Sequence, residues 1–407
     1  MATIVQKFGG SSVADASKML EVARRIAKTR RKGHQVVVVV SAPGDTTDDL
    51  ISMAHKFSDA PDEREMDMLL ATGEQQAIAL LAIALKSLGC EAISFTGPQV
   101  GIVTDNVHTK ARIVKVGDST IRKALNLGKV VIVAGFQGMN KNNEITTLGR
   151  GGSDLTAVAI AAALKADICE FYKDVDGVFT ANPSIVKDAK KLSVVSYDEM
   201  LEMASAGAQV LNARSVEFAK NFGIKIHVRP TFNEKEGTIV MQETKAMEKV
   251  VISGVTYHKN EAKITVRGVP DRPGVASILF SKLGAAGVNV DMIIQNIGEK
   301  GHSDVSFTVD RSEFKKAMKV VQEAAKALKP AGVISDERIA KVSVVGVGMR
   351  SHSGVAAKMF QALAEAGVNI EMISTSEIKI SVVIDQKDVA KAVSAIHTKF
   401  KLGKKGK

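Results

Sequence analysis

Residues 3–43 read TIVQKFGGSSVADASKMLEVARRIAKTRRKGHQVVVVVSAP. The segment 3–8 is strand-like, and two glycines and two serines follow it. Over 14–31 the residues Ala16, Met19, Leu20, Ala23, Ile26 and Ala27 recur at helical spacing. Residues 36–40 are an unbroken run of valine. A β-branched run without polar alternation belongs to a strand buried on both faces, in a sheet covered by helices on each side. Working outward, strand patterns recur at 129–134 and 168–172. Helical patterns fall at 65–88, 119–127, 154–165 and 197–221. This alternation predicts an α/β layer architecture for residues 1–240.

The segment RPTFNEKEGTIVMQETKAMEK, broken by Pro230 and Gly237, marks a boundary, with a linker at 241–249. Beyond it the chain repeats itself. AKITVRGVPDRPGVASILFSKLGAAGVNVDMI (262–293) returns as AKVSVVGVGMRSHSGVAAKMFQALAEAGVNIEMI (340–373). Lys263 aligns with Lys341, Gly274 with Gly354 and Asn289 with Asn369. Each copy reads strand, glycine turn, helix, strand. Two copies are too few for a solenoid, so a paired α+β module is expected. The D-R-P-G-V turn and the A-G-V-N element resemble the ACT domain, a ferredoxin-like module that binds amino acids. Two such domains are expected at 250–332 and 333–402, followed by a basic tail at 403–407.

Composition narrows the function. The 407 residues are 45% hydrophobic and 24% charged, enough apolar material to exclude general disorder. Cys90 and Cys169 form no zinc spacing and no disulfide scaffold, and the eight histidines show no paired ligand spacing, so no metal ligand is assigned. No signal peptide is read at the N-terminus, and the apolar stretch 77–85 is far short of the ~20 residues a membrane span needs. A reducing, cytoplasmic location is expected. The net charge of +11 raises nucleic acid as a partner, but aromatics are only 4%, Trp is absent and no recognition motif interleaves the charge. No nucleic acid and no membrane are expected as partners.

Two glycine-rich segments open helices. In Lys7-Phe8-Gly9-Gly10-Ser11-Ser12, converging amides at a helix start beside a lysine suit an anion, although a capped turn has the same look. Gly149-Arg150-Gly151-Gly152-Ser153-Asp154 adds an Arg able to grip a carboxylate through two bonds, or simply to remain solvated. The third segment, 172–180, turns at Asp176-Gly177. No Walker A or protein-kinase motif set occurs.

Together KFGGSSV (7–13), SAPGDTTDDL (41–50), MDMLLATGE (66–74), FTGPQVGIVT (95–104), TTLGRGGSDLTA (146–157) and KDVDGVFTANP (173–183) closely resemble aspartate kinases, over nearly the whole chain. The resemblance implies an open, mostly parallel sheet flanked by helices, followed by two ACT domains. It implies phosphoryl transfer from ATP with Mg2+ to the β-carboxylate of L-aspartate. Lys7, Asp154 and Arg150 would be catalytic. Ser41, Thr47, Glu74, Arg150, Gly151, Gly152 and Ser153 would bind the substrate, with Glu74 on its ammonium. Lys7, Phe8, Gly9, Gly10, Tyr172, Lys173, Asp174, Val175, Thr180, Asn182, Pro183 and Ile185 would hold the nucleotide. Lysine, threonine or both would act as effectors at Asp271, Gly274, Val275, Ala276, Asn289, Asp291 and Gln295 of the first copy. In the second copy they would meet Ser353, Gly354, Val355, Asn369, Ile370 and Thr375. A homodimer through the ACT domains, or a hetero-oligomer with a shorter ACT-only chain begun at Met247, is expected. The chain departs from the family at Ser184, where relatives often carry Arg, and at Gln209, where many carry Lys. A glutamate or N-acetylglutamate kinase and a non-catalytic amino-acid sensor are the competing readings.

Overall fold

The computed structural model describes residues 1–208, 210–247, 250–297 and 301–404. The chain divides into two compact units. The first comprises Met1–Val178, Lys191–Ala204 and the segment that ends at Met247. The second takes Phe179–Lys190, Ser205–Ala208 and the residues from 250 onward.

In the first unit the elements run β1 (Thr3–Phe8), α1 (Ala16–Arg31), β2 (Gln35–Val40), α2 (Thr46–His55), α3 (Glu63–Ser87), β3 (Ala92–Phe95), β4 (Ile102–Thr104), β5 (Ile113–Val116), α4 (Ser119–Asn126), β6 (Val130–Ala134), β7 (Gln137–Met139), β8 (Ile145–Thr147), α5 (Gly152–Leu164), β9 (Ile168–Lys173), β10 (Val194–Ser196), α6 (Tyr197–Ser205), α7 (Ala213–Phe222), β11 (Ile226–Pro230) and β12 (Thr238–Met241). An eight-stranded sheet has the order β10-β12-β11-β9-β1-β2-β6-β3, and only its β11–β12 pair is antiparallel. The expected mostly parallel sheet is present, and Val36 through Val40 are each fully buried. One face of the sheet packs on α1 and α3, through Val22, Ile26, Leu81 and Leu85 against Val36, Val38 and Ile132. Asp15 and Asp62 cap these two helices by accepting backbone N–H groups. Helix α5 is buried along most of its length, as its run of alanines and aliphatics requires.

Helix α3 is long and apolar enough, by length and composition, to cross a membrane. The helix extends well beyond the nine apolar residues 77–85, of which Ala77, Ile78, Leu81, Ala82 and Leu85 are buried while Leu80 and Ile83 are exposed. It buries Asp67 and Glu74 and packs within the first unit's core. The helix expected over 197–221 is two helices, because Gly207 adopts φ 104° and Asn212 caps a new start by accepting the Arg214 N–H. A small mixed sheet, β5-β4-β7-β8, in which only β4 and β7 are parallel, was not anticipated.

The second unit contains β13 (Gly254–Pro270), α8 (Val275–Ala285), β14 (Val290–Ile297), β15 (His302–Asp310), α9 (Phe314–Leu328), β16 (Gly332–Val345), α10 (Val355–Glu365), β17 (Met372–Thr375), β18 (Lys379–Asp385) and α11 (Val389–Lys399). Its six strands run β14-β15-β13-β16-β18-β17. The two long strands serve both modules. Gly254–His258 pair with Lys341–Val345, whereas Lys263–Arg267 pair with Gly332–Asp336. Val255 accordingly lies in the core with Val342, Leu363 and Ile396, and Ile264 lies in the other core with Leu279, Phe307 and Val321. The boundaries expected at 250–332 and 333–402 are thus corrected: residues 254–258 complete the C-terminal module, and the N-terminal module is inserted after them. The repeat-related lysines also cross over, Lys341 pairing with Asp291 and Lys263 with Glu371.

Residues 179–190 belong to this unit rather than to the first, contrary to a boundary at 240. Ala181, Val186 and Ala189 are buried in the core of the C-terminal module. Thr180 meets the buried His397 Nε2 at 3.0 Å through its hydroxyl, and its carbonyl accepts the Val255 N–H.

Candidate active site

The chemistry-bearing side chains of the first unit converge at the carboxyl ends of β1, β2 and β9, where ligands of open parallel sheets bind. Lys7 lies one residue before the end of β1, Ser41 just beyond β2, and Lys173 ends β9. Asp154 projects from the first turn of α5, where the helix dipole favours a carboxylate. Lys7 Nζ lies 2.6 Å from Asp154 Oδ1, and Lys173 Nζ lies 3.2 Å from Oδ2. Lys7 and Asp154 are both buried. Burial raises the Asp154 carboxyl, but Lys173 and Lys7 outweigh it and hold the group at about 2. Burial likewise lowers the Lys7 ammonium, with Asp154 opposing. One ionised carboxylate therefore orients two lysines, leaving an excess of positive charge. The family resemblance named Lys7 and Asp154 as catalytic and assigned Lys173 only to the nucleotide, whereas both lysines share the one carboxylate. No local pattern reports a contact between residues 154 and 173.

Gly9 and Gly10 follow directly. A Cβ on Gly10 would stand 2.6 Å from the Ala42 carbonyl and 3.0 Å from that of Gly44, so only glycine lets the β1 and β2 loops close. The Gly10 carbonyl accepts the Gly44 N–H, and the Ser41 N–H reaches the Phe8 carbonyl. Glu74 rises from α3 into the same region, its Oε1 accepting the Ala42 N–H at 3.0 Å. Its Oε2 is buried without a hydrogen-bond partner among the described residues. Burial pushes the Glu74 carboxyl up to about 7, against the Ala42 N–H and Lys7. A buried carboxylate oxygen with no donor is suited to an incoming cation.

Ser41 and Thr47 are half-buried, Thr47 within the first turn of α2. Arg150 is exposed, on a turn between Gly149 (φ 73°) and Gly151 (φ 78°). Gly152 and Ser153 are buried at the start of α5. The remaining nucleotide candidates have different surroundings. Phe8 and Tyr172 stack ring on ring at 4.6 Å inside the core, and the Tyr172 hydroxyl donates to Glu170. Their side chains are packing residues, and only their backbone can face a ligand. Asp174 and Val175 are exposed beyond β9. Thr180, Asn182, Pro183 and Ile185 lie in the second unit. There the Thr180 hydroxyl accepts the Lys190 N–H, the Asn182 amide donates to the Tyr257 hydroxyl, and Ile185 packs on the C-terminal module. Ser184 closes a turn on the Asn182 side chain. Gln209 lies outside the described residues.

Among the effector candidates, Asp271, Ala276, Asn289 and Gln295 are exposed in the N-terminal module, as are Ser353, Asn369 and Thr375 in the C-terminal one. Gly274 (φ 97°) and Gly354 (φ 84°) open the helices that follow. Val275 and Val355 turn into the cores, so their side chains are not ligands, and Ile370 packs partly on the C-terminal core. The Asp291 carboxylate is engaged by Lys341, which also sits 2.8 Å from the buried Glu261. Asp291 is therefore a structural acid in this arrangement.

A model of the amino acid kinase family matches residues 2–230, and an ACT domain model matches 264–325 and 342–400. The chain belongs to the amino acid kinase family. An aspartokinase of Mycolicibacterium smegmatis is 51% identical over 408 residues, covering 99% of this chain and 97% of that one. The aspartate kinase structure from Synechocystis is 44% identical, covers all of this chain and 70% of that one, and superposes with a TM-score of 0.56. The structure of E. coli aspartokinase III in complex with aspartate and ADP superposes with a TM-score of 0.83 over 97% of this chain and 99% of its own. At 23% identity it supports the fold. Within its family the chain stands with the aspartokinases.

Proposed function

We propose that this protein transfers the terminal phosphoryl group of ATP to the β-carboxylate of L-aspartate, giving 4-phospho-L-aspartate and ADP. The relatives' shared name supports the substrate, and the Lys7–Asp154–Lys173 cluster is the observation that carries the chemistry. A carboxylate of ordinary pKa near 4 is already ionised at neutral pH, so the nucleophile needs no general base. The obstacle is repulsion between that anion and the triphosphate, about 4 kcal/mol for each pair of unit charges 4 Å apart at an effective dielectric of 20. Two lysines fixed by one carboxylate, together with the amides of Gly9 and Gly10, offset that repulsion without reorganising during the reaction. Glu74 Oε2 takes the substrate ammonium, and Arg150 takes its α-carboxylate. Ser41 and Thr47 line the same pocket.

No group of three or more His, Cys, Asp or Glu among the described residues has the arrangement of a metal site. A Mg2+ would therefore arrive on the nucleotide phosphates rather than on a protein cage, and would supply further charge neutralisation beside Lys7 and Lys173. The ACT modules serve as the feedback element, taking lysine, threonine or both. The active particle is a homodimer through these modules, or a hetero-oligomer with a shorter chain begun at Met247. A blot of the native gene's C-terminally tagged products distinguishes the two by the presence of the short band. The two buried free thiols, Cys90 and Cys169, suit a reducing cytoplasmic location.

The test is 31P and 13C NMR of the product formed from ATP and β-13C-aspartate. An acyl phosphate coupled to the labelled carbon supports the reading; phosphorylation at the α-carboxylate, or ADP formed without an acyl phosphate, overturns it.

A further inference from the structure

Glu74 is not the only acid that α3 buries. Asp67, about two turns earlier on the same helix face, is fully buried and has both oxygens engaged. The Thr147 hydroxyl donates to Oδ1 at 2.5 Å, and His108 Nδ1 lies 2.7 Å from Oδ2. The Thr109 N–H reaches both oxygens at 3.1 Å. None of these donors belongs to α3. Thr147 ends β8, three residues before Arg150, and Thr109 lies in the strap between β4 and β5.

The strap is held in a strained shape. Thr109 adopts φ 61°, a left-handed conformation that β-branched residues rarely take and that costs ~1–3 kcal/mol. Such strain persists only where the surroundings impose it, and here the Asp67 carboxylate grips the strained residue's own N–H. The strap is also laced to the Arg150 turn, because the Ala111 N–H donates to the Thr147 carbonyl at 2.9 Å. A Cβ on Gly149 would stand 3.1 Å from the Thr109 carbonyl, so strap and turn run in contact. One carboxylate thus ties the helix that carries Glu74 to the turn that carries Arg150.

We propose that Asp67 is a positioning residue for the amino-acid substrate: through Thr147 and Thr109 it fixes the Arg150 turn relative to Glu74. This rests on the reading that Glu74 and Arg150 take the two charged ends of aspartate. Those ends are separated by one carbon, so a grip built from two distant elements works only if their spacing is fixed. Displacement of about 1 Å at such a site costs orders of magnitude in rate or affinity. A carboxylate suits the task because it only accepts, and the Thr147 hydroxyl, the Thr109 N–H and, in its Nδ1–H tautomer, His108 all donate to it. An amide at position 67 would set its NH2 against one of them.

The test compares Thr147→Val, which removes one hydroxyl and keeps the shape, with Thr147→Ser, which keeps the hydroxyl, and with Asp67→Asn. Thr147→Val should raise the KM for aspartate ~10-fold, the scale of one hydrogen bond to a charged acceptor, and leave the KM for ATP within about two-fold. Thr147→Ser should restore it. Asp67→Asn should show the same selectivity, and if it fails to fold the Thr147 pair decides alone. Each variant is then combined with Arg150→Ala, where Thr147→Val should add nothing to the aspartate KM. Additive effects in that background, or an equal rise in both KM values, overturn the role of Asp67 while the substrate reading stands. An Arg150→Ala enzyme with unchanged aspartate KM overturns the substrate reading, and the proposal with it.

Discussion

The Glu74 carboxyl makes the pH dependence of substrate binding a quantitative test. Burial holds it at about 7, and only the ionised form attracts an ammonium. At pH 8 about nine-tenths of the free enzyme carries the anion, and at pH 6 about one-tenth does. When only a fraction of the protein is competent to bind, apparent affinity falls by that fraction. The KM for aspartate should therefore rise ~10-fold between pH 8 and pH 6, with the midpoint near 7. The substrate contributes nothing to this change, because its ammonium stays protonated and its carboxylates stay ionised across the window. The assay is initial-rate kinetics with ADP release coupled to NADH oxidation, at saturating ATP, in steps from pH 6 to 8.5. Glu74→Gln should give a high aspartate KM that no longer varies with pH. A flat wild-type profile, or one that persists unaltered in Glu74→Gln, would refute the assignment of Glu74 to the ammonium.

Four other expectations follow from the same geometry. Because the folded Glu74 value lies above the ordinary 4.5, the native state keeps a proton that the unfolded chain has lost, and stability falls as pH rises from about 4.5 to 7. Glu74→Gln should therefore stabilise the first unit above pH 7 by about 3 kcal/mol and do little at pH 4, read by urea unfolding at both values. Lys7→Ala and Lys173→Met should each lower kcat by ~10²-fold or more; near-normal kcat at saturating substrates removes that lysine from the mechanism. Gly10→Ala should abolish activity through the clash with the Ala42 carbonyl, and a fully active variant would contradict the closed-loop geometry. Asp271→Ala should raise the lysine or threonine concentration for half-inhibition ~10-fold, and a wild-type enzyme that neither amino acid nor their mixture slows would leave the ACT modules as assembly devices.

Much of this architecture was legible in the sequence because burial on both faces leaves a one-dimensional mark. The valines of β2 and the alanines of α5 could hardly serve elsewhere. The glycine-rich turns carrying Lys7 and Asp154 were equally plain, since both combine small residues with a helix start. What escaped notice depended on partners distant along the chain. Lys173 reads as an ordinary strand-ending lysine until β9 pairs with β1. Asp67 reads as a helix acid until the strap and β8 fold over it. The strand 254–258 lies outside the repeat, so nothing in the alignment of the copies showed that it completes the second one. Thr180 and Asn182 look like part of the β9 turn because they follow it, yet their side chains bond to His397 and Tyr257.

Hydroxylamine trapping reads the reaction itself, because it converts an acyl phosphate to a hydroxamate that ferric iron renders coloured. Purified protein would be incubated with ATP, Mg2+ and hydroxylamine, and with L-aspartate, L-glutamate or N-acetyl-L-glutamate in turn. Hydroxamate should form with L-aspartate, the signal should be lost in Lys7→Ala, and little or none should form with the other two acids. Hydroxamate formed preferentially from glutamate or N-acetylglutamate, or from no acid at all by a folded, ATP-binding protein, would contradict the proposed reaction.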